Sequence, residues 1–215
     1  MPTQPQNVPV AADELFGDVR LLLEQLGSPD LAPGVAGGLT VNSTADLRHF
    51  LRHYDERILR ALELPAIHRA FNHASRGEVR ELVDFDQHLA EEPLLANLRS
   101  ASRRVGQIQL RRLRPLRDNR TVQRYLAAVD SGSAQGWHTL VYGLTLAVYS
   151  LPLRQGLINY AEQTTRGLIQ SASRELAISK PDAQSLYDQT MVGLPQTVEA
   201  LLLKEAAASR EISLV

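Results

Sequence analysis

Apolar residues recur along this chain at intervals of three and four almost everywhere, and the strict alternation expected of a half-buried strand is absent. The pattern predicts an all-α, single-domain helical bundle of about ten helices. They are expected over residues 13–26, 44–62, 65–75, 78–91, 93–116, 120–129, 137–151, 153–178, 182–192 and 195–208. Residues 1–12 and 209–215 are expected as tails around a domain at 13–208. Pro65, Pro93, Pro152 and Pro195 stand at helix starts, where a missing amide hydrogen costs least. Ser43 or Thr44 is placed to cap the second helix. The most apolar run, WHTLVYGLTLAVYSL at 137–151, falls short of the ~20 apolar residues that span a bilayer, so it predicts a core helix and no membrane association. Two irregular segments interrupt the pattern, a turn-rich loop at 27–42 and DSGSAQG at 130–136.

The stretch LANLRSASRRVGQIQLRRLRPLRDNR, residues 95–120, holds eight arginines. On a helical wheel Leu94, Leu98, Ala101, Val105, Ile108 and Leu116 fall on one side, within ~80° of Leu98. Arg99, Arg103, Arg104, Arg111, Arg114 and Arg117 fall opposite, and Arg112 sits among the apolar set. The arginines are thus read as the polar half of an amphipathic helix. A solvated face ranks first, an acidic protein partner next, and nucleic acid last.

Charge supports that order, because 23 basic residues are balanced by 24 acidic ones for a formal charge of -1, whereas nucleic-acid binders keep a basic excess. At 215 residues the chain can bury one sizeable core. It has no cysteine, which removes disulfides, thiolate metal sites and cysteine nucleophiles and fits a reducing cytoplasm. The N-terminal MPTQPQNVPVAADE lacks a basic region followed by an apolar run, so no secretory signal is expected.

Candidate chemistry is sparse. Gly34, Gly37 and Gly38 suggest a phosphate loop, but no Gly-Lys-Ser/Thr follows. His49 and His53, four apart and flanked by Asp46 and Glu56, would share one helix face and could grip a divalent metal such as nickel. Asp84, Asp86 and His88 would diverge by ~200° per two residues and cannot converge. His138, in a helix apolar almost all round, reads as a buried histidine satisfied by a neighbouring carbonyl. No elbow motif marks a nucleophile, and nothing demands an enzyme. A helical metal-binding protein, or an RNA-binding module using Arg99 to Arg124, are the readings the residues leave beside a protein adaptor.

Two blocks carry a resemblance. In the first, ELPAIHRAFNHASRGEVRELVDFDQHLAEEPLLANLRSASRRVGQ, Leu98, Arg99, Ser102 and Gly106 fall on E-L-R-x-x-S-x-x-x-G, with Asn97 in place of the acid. In the second, His138, Val141 and Gly143 fall on H-x-x-V-x-G, followed by Pro152, Leu153, Leu157 and, after a long helix, Arg174. The chain resembles the urease accessory protein UreF family over most of residues 20–205. LLLEQLGSPDLAPG resembles its opening segment, and Gly38 and Leu39 its Gly-Leu-Glu, with Thr40 replacing the glutamate. AISK replaces its Pro-Leu-Gly-Gln, although Asp182 and Gln184 match the family's Thr-Asp-Gly-Gln directly after it, and AEQTT at 161–165 replaces a hydrophobic run.

The resemblance implies an all-α homodimer-forming scaffold without chemistry or cofactor of its own. Such a scaffold would join a second accessory protein, recruit and regulate a nickel-delivering GTPase, and act on apo-urease. Under that reading Arg99, Arg103 and Arg174 are expected anchoring charges, since a guanidinium can hold a carboxylate by two hydrogen bonds. Gly37, Gly38 and Thr40 in the front loop, and Asp182 and Gln184 in the late one, are expected partner contacts. Arg174 could equally pair with Glu175 or Glu199. Exposed apolar residues at 137–178 are the expected dimer surface.

Overall fold

The computed structural model describes residues 41–212. The expected helix at 13–26, most of the 27–42 loop and the candidate residues Gly34, Gly37, Gly38 and Thr40 lie outside them.

Every regular element among the described residues is helical. The chain enters at α1 (Thr44–Tyr54), where Ser43 is the cap: its hydroxyl accepts from Asp46 N at 3.1 Å while the Asp46 carboxylate accepts from Asn42 N at 3.2 Å. Helix α1 passes without a break through a π-helical segment, Asp55–Glu63, into α2 (Leu64–Arg76). The expected helices at 44–62 and 65–75 are therefore one rod. The π register widens the turn ahead of Pro65, which accommodates its ring and missing amide hydrogen. Gly77, at φ 71, ends the rod in the left-handed conformation that glycine adopts without strain.

After α3 (Val79–Glu91) the predicted 93–116 helix is divided. A 3-10 turn at Pro93–Leu95 comes first, capped by the Glu92 side chain accepting from Leu94 N at 3.2 Å, and α4 (Arg99–Arg112) follows. Then come α5 (Arg120–Asp130), α6 (His138–Val148), α7 (Leu153–Leu176), α8 (Lys180–Met191) and α9 (Leu194–Ile212). The count of about ten helices is not matched: the expected helix at 13–26 lies outside the described residues, and the expected pair at 44–62 and 65–75 forms one rod.

Helix α6 is the axis of the fold. Every residue from His138 to Leu146 is buried, as a helix apolar almost all round requires, with His138, Thr139 and Thr145 as its polar exceptions. It packs most extensively on α2 and α4, with α7 alongside. Two glycines set those crossings: a Cβ at Gly143 would run into Ile67 O of α2, and one at Gly106 of α4 would run into Gly136 O and His138 N. Only hydrogen at those positions lets the backbones approach so closely.

A polar clamp ties the turn between α8 and α9 to the rod. Arg60 in the π segment donates from Nε to both Asp55 oxygens at 2.9 and 2.8 Å, from Nη1 to Thr197 Oγ1 at 2.6 Å, and from Nη2 to Val192 O at 3.0 Å. It thereby fixes the turn between α8 and α9. No helix among the described residues is long and apolar enough to cross a membrane.

Candidate functional site

The arginine-rich helix α4 is where sequence and structure differ most usefully. Leu98, Ala101, Ser102, Val105, Gly106, Gln109, Leu110 and Leu113 form its buried side, whereas Leu94 is 38% and Ile108 46% exposed. Relative to the expected stripe, the helix is turned by roughly 60° about its axis. The cause is the close approach at Gly106, which draws small and polar residues inward to meet the backbone of 136–138. Ser102 Oγ there accepts from His138 N at 3.1 Å.

The loop that α4 meets is held by a residue that sequence reasoning considered only as part of a non-convergent ligand set. Asp86 on α3 is fully buried, and its carboxylate accepts from Tyr125 Oη at 2.6 Å, from Gly136 N at 2.9 Å and from Gln135 N. Its carbonyl accepts from Trp137 Nε1 at 3.2 Å. Burial raises the Asp86 carboxyl above its ordinary range, and these donors pull it back. Asp84 and His88 stand exposed on one side of α3 while Asp86 is buried on the other, so the three do not converge; His88 Nδ1 bonds Asp84 O at 2.7 Å. The available signal was a lone acid at an inward position of an amphipathic helix.

Of the anchoring arginines, Arg99 is turned to structural work. Its Nη2 donates to Ala90 O at 2.7 Å, satisfying a terminal carbonyl of α3. Arg103, half-buried, and Arg104 and Arg111, exposed, have no partner among the described residues. With Ile108 and Gln107 they line a shallow concavity of about 570 Å³ that also reaches Arg99. The outcome is a shelf on which three uncommitted guanidinium groups surround one exposed aliphatic side chain.

The remaining candidates are dispersed. Arg174 is exposed near the end of α7, on a different part of the surface, and Glu199 is paired with Arg154 instead. Asp182 is engaged in the α8 cap, where Ser179 Oγ donates to Asp182 Oδ2 at 2.6 Å, and Gln184 bonds Asp188 Oδ1 at 2.7 Å one turn on. Gln184 lines a groove between α7 and α8. His49 and His53 share the exposed side of α1, and no group of three metal-capable side chains converges among the described residues.

The expected apolar dimer surface at 137–178 is not exposed. Helix α6 is enclosed, and within that range Tyr149, at 41%, is the only large apolar side chain among the described residues that stands exposed. Val192 and Leu203, at 73% and 70%, stand out elsewhere.

Ionisable groups are buried beneath the π segment. Glu63 is pushed up to about 7 by burial, against the opposing pull of Tyr54, whose hydroxyl donates to Glu63 Oε2 at 2.6 Å. Neighbouring Tyr160 packs with its ring centre 5.1 Å from that of Tyr142 and 5.6 Å from that of His138. His138 corrects the expectation of a carbonyl-satisfied ring: it is fully buried, both ring nitrogens lack a partner, and burial pushes its pKa down to about 3. The ring is held by shape among aromatics. Glu63 and His138 are titratable groups sealed in the core.

A family model described as UreF matches residues 41–190. No curated protein matches the chain. The match spans well over half of the sequence, so the chain belongs to the UreF family, whose members are urease accessory proteins acting in nickel insertion together with other accessory proteins. Several residues that carried the resemblance prove to be packing residues: Leu98, Ser102 and Gly106 seat α4, and His138, Val141 and Gly143 form the axis, whereas Pro152 and Arg174 are exposed.

Proposed function

We propose that this member of the UreF family is a non-catalytic adaptor that binds a second accessory protein and recruits and regulates the nickel-delivering GTPase during urease maturation. The observation that carries it is the α4 shelf, where Arg103, Arg104 and Arg111 stand without partners among the described residues around exposed Ile108. Uncommitted guanidinium groups beside an aliphatic side chain suit a protein surface with carboxylates around a hydrophobic knob. The face carries no aromatic side chain on which a base could stack, which favours protein over nucleic acid. Asp182 and Gln184 on α8 are proposed as a second contact region, and Arg174 as a separate one; Gly37, Gly38 and Thr40, outside the described residues, remain proposed partner contacts.

Regulation requires that this surface bind one GTPase state more tightly than the other, since equal affinity shifts nothing. The adaptor works in the cytoplasm as a homodimer, for which Val192 and Leu203 are the most exposed large apolar positions among the described residues. The test is co-purification of a tagged chain with the GTPase and the second accessory protein from a urease-positive lysate. Recovery of both is expected. An Arg103→Glu/Arg111→Glu variant, with an unchanged melting temperature because both groups lack internal partners, should lose at least tenfold in recovery. Capture of neither protein by the wild-type chain sinks the adaptor reading.

A further inference from the structure

The rod and α3 leave a groove between them that encloses about 410 Å³ and has an apolar end and a basic end. Leu62 of the π segment, Pro65 of α2 and Phe85 of α3 form its half-buried apolar wall. Arg69, His73 and Arg76 follow one another along one face of α2 at the basic end. No acidic side chain among the described residues lines the groove.

Arg69 is exposed and yet held in place. Its guanidinium lies 4.3 Å over the Phe85 ring, and its Nε donates to His73 Nε2 at 3.3 Å. An Nε2 that accepts carries no hydrogen, so the ring hydrogen is on Nδ1, which donates to Glu78 Oε2 at 2.8 Å. Glu78 thereby orients His73, His73 orients Arg69, and the aromatic ring fixes the plane of the fork. Both Nη groups of Arg69 are left without a hydrogen-bond partner among the described residues. Arg76 adds charge beside it, with Nη1 3.9 Å from Glu78 Oε1. An arginine already fixed with its Nη edge open loses little further freedom when a carboxylate arrives.

We infer that the α2–α3 groove is a further protein-docking seat, taking a partner segment that lays an aliphatic side chain against Leu62 and Pro65 and sets a carboxylate on Arg69. Charge complementarity calls for the acid, and the planar fork matches a carboxylate by two parallel hydrogen bonds. Pro65 stands one helical turn before Arg69, so the aliphatic group and the acid belong roughly 6 Å apart on the partner. The seat differs from the α4 shelf in kind: Arg103, Arg104 and Arg111 there are held by nothing among the described residues, whereas Arg69 is braced on three sides. The inference does not depend on the adaptor reading.

Two tripeptide probes test it, acetyl-Leu-Ala-Glu-amide and acetyl-Leu-Ala-Gln-amide. They differ in charge alone and carry their outer side chains on one face of an extended chain, ~7 Å apart. Each is titrated into the full chain to about 10 mM, a range suited to ligands of this size, and followed by amide NMR shifts. The glutamate probe should move the signals of residues 62–76 and 85–89 and bind about fivefold more tightly than the glutamine probe, the upper end for a partly exposed pair. Arg69→Gln should erase that preference and leave the affinity of the glutamine probe unchanged. Equal affinity of the two probes for wild type, a preference that survives Arg69→Gln, shifts confined to the shelf at 99–111, or no shift in the groove each overturns the seat.

Discussion

Replacing Glu63 with glutamine isolates the largest carboxylate perturbation in the core. Glutamine keeps the shape and leaves an oxygen to accept from Tyr54, but it cannot ionise. The Glu63 carboxyl is raised from 4.5 to about 7 by burial. A carboxyl raised on folding contributes stability that is fully present below its unfolded pKa and is lost as pH climbs through the folded value. Across that window the wild-type protein should lose about 3 kcal/mol through this group. His138 acts in the opposite sense. Its pKa is lowered from 6.5 to about 3, so its contribution is present above pH 6.5 and is lost as pH falls toward 3. Between pH 4.5 and 6.5 the two slopes oppose, and their combined effect on wild type is nearly level. Glu63→Gln removes one slope and unmasks the other. Urea unfolding followed through Trp137, the only tryptophan and a buried one, at pH 5, 6, 7 and 8 gives the difference between variant and wild type. Asp55 and Asp86, also raised by burial, cancel in that difference. The variant should gain about 3 kcal/mol relative to wild type from pH 4.5 to 7. A constant offset between parallel profiles would refute the placement of an ionising Glu63 in the core.

Other outcomes rest on the same geometry. His138→Phe should be neutral or stabilising by about 1 kcal/mol in thermal unfolding, because both ring nitrogens are buried without partners, and a loss above ~2 kcal/mol would mean the ring is hydrogen-bonded after all. Gly106→Ala should cost about 1–3 kcal/mol and raise amide exchange in both α4 and the start of α6, since its methyl meets Gly136 O; an unaltered melting curve would contradict that contact. The exposed pair His49 and His53 should take up nickel weakly in a calorimetric titration, and His53→Ala should abolish the heat; equal heats from the two proteins would dismiss the pair as a metal site.

Much of the helical layout was legible because periodicity is a local property. The apolar run at 137–151 predicts a core helix, and α6 is buried all round; Ser43 predicts a cap, and it caps. The boundaries were less legible. Pro65 looks like a helix start from sequence, yet the preceding π segment carries the helix through it. The site was legible in composition and misjudged in orientation. Arg103, Arg104 and Arg111 do face outward, but Ile108 joins them there, and Arg99 is drawn back onto Ala90 O. That rotation depends on the backbone at 136–138, far from α4 in sequence, and no wheel contains it.

By itself the sequence determined the helical class, the balance of charge that disfavours nucleic acid, and the loose motifs that resemble the UreF family. Those come from residue type and spacing within a few turns. Only the tertiary structure decided that Asp86 holds the 135–137 loop, that Gly106 and Gly143 set helix separations, that His138 is sealed without a partner, and which arginines stay uncommitted. Each of these depends on which backbone arrives opposite a side chain, and that is settled by packing between segments distant along the chain.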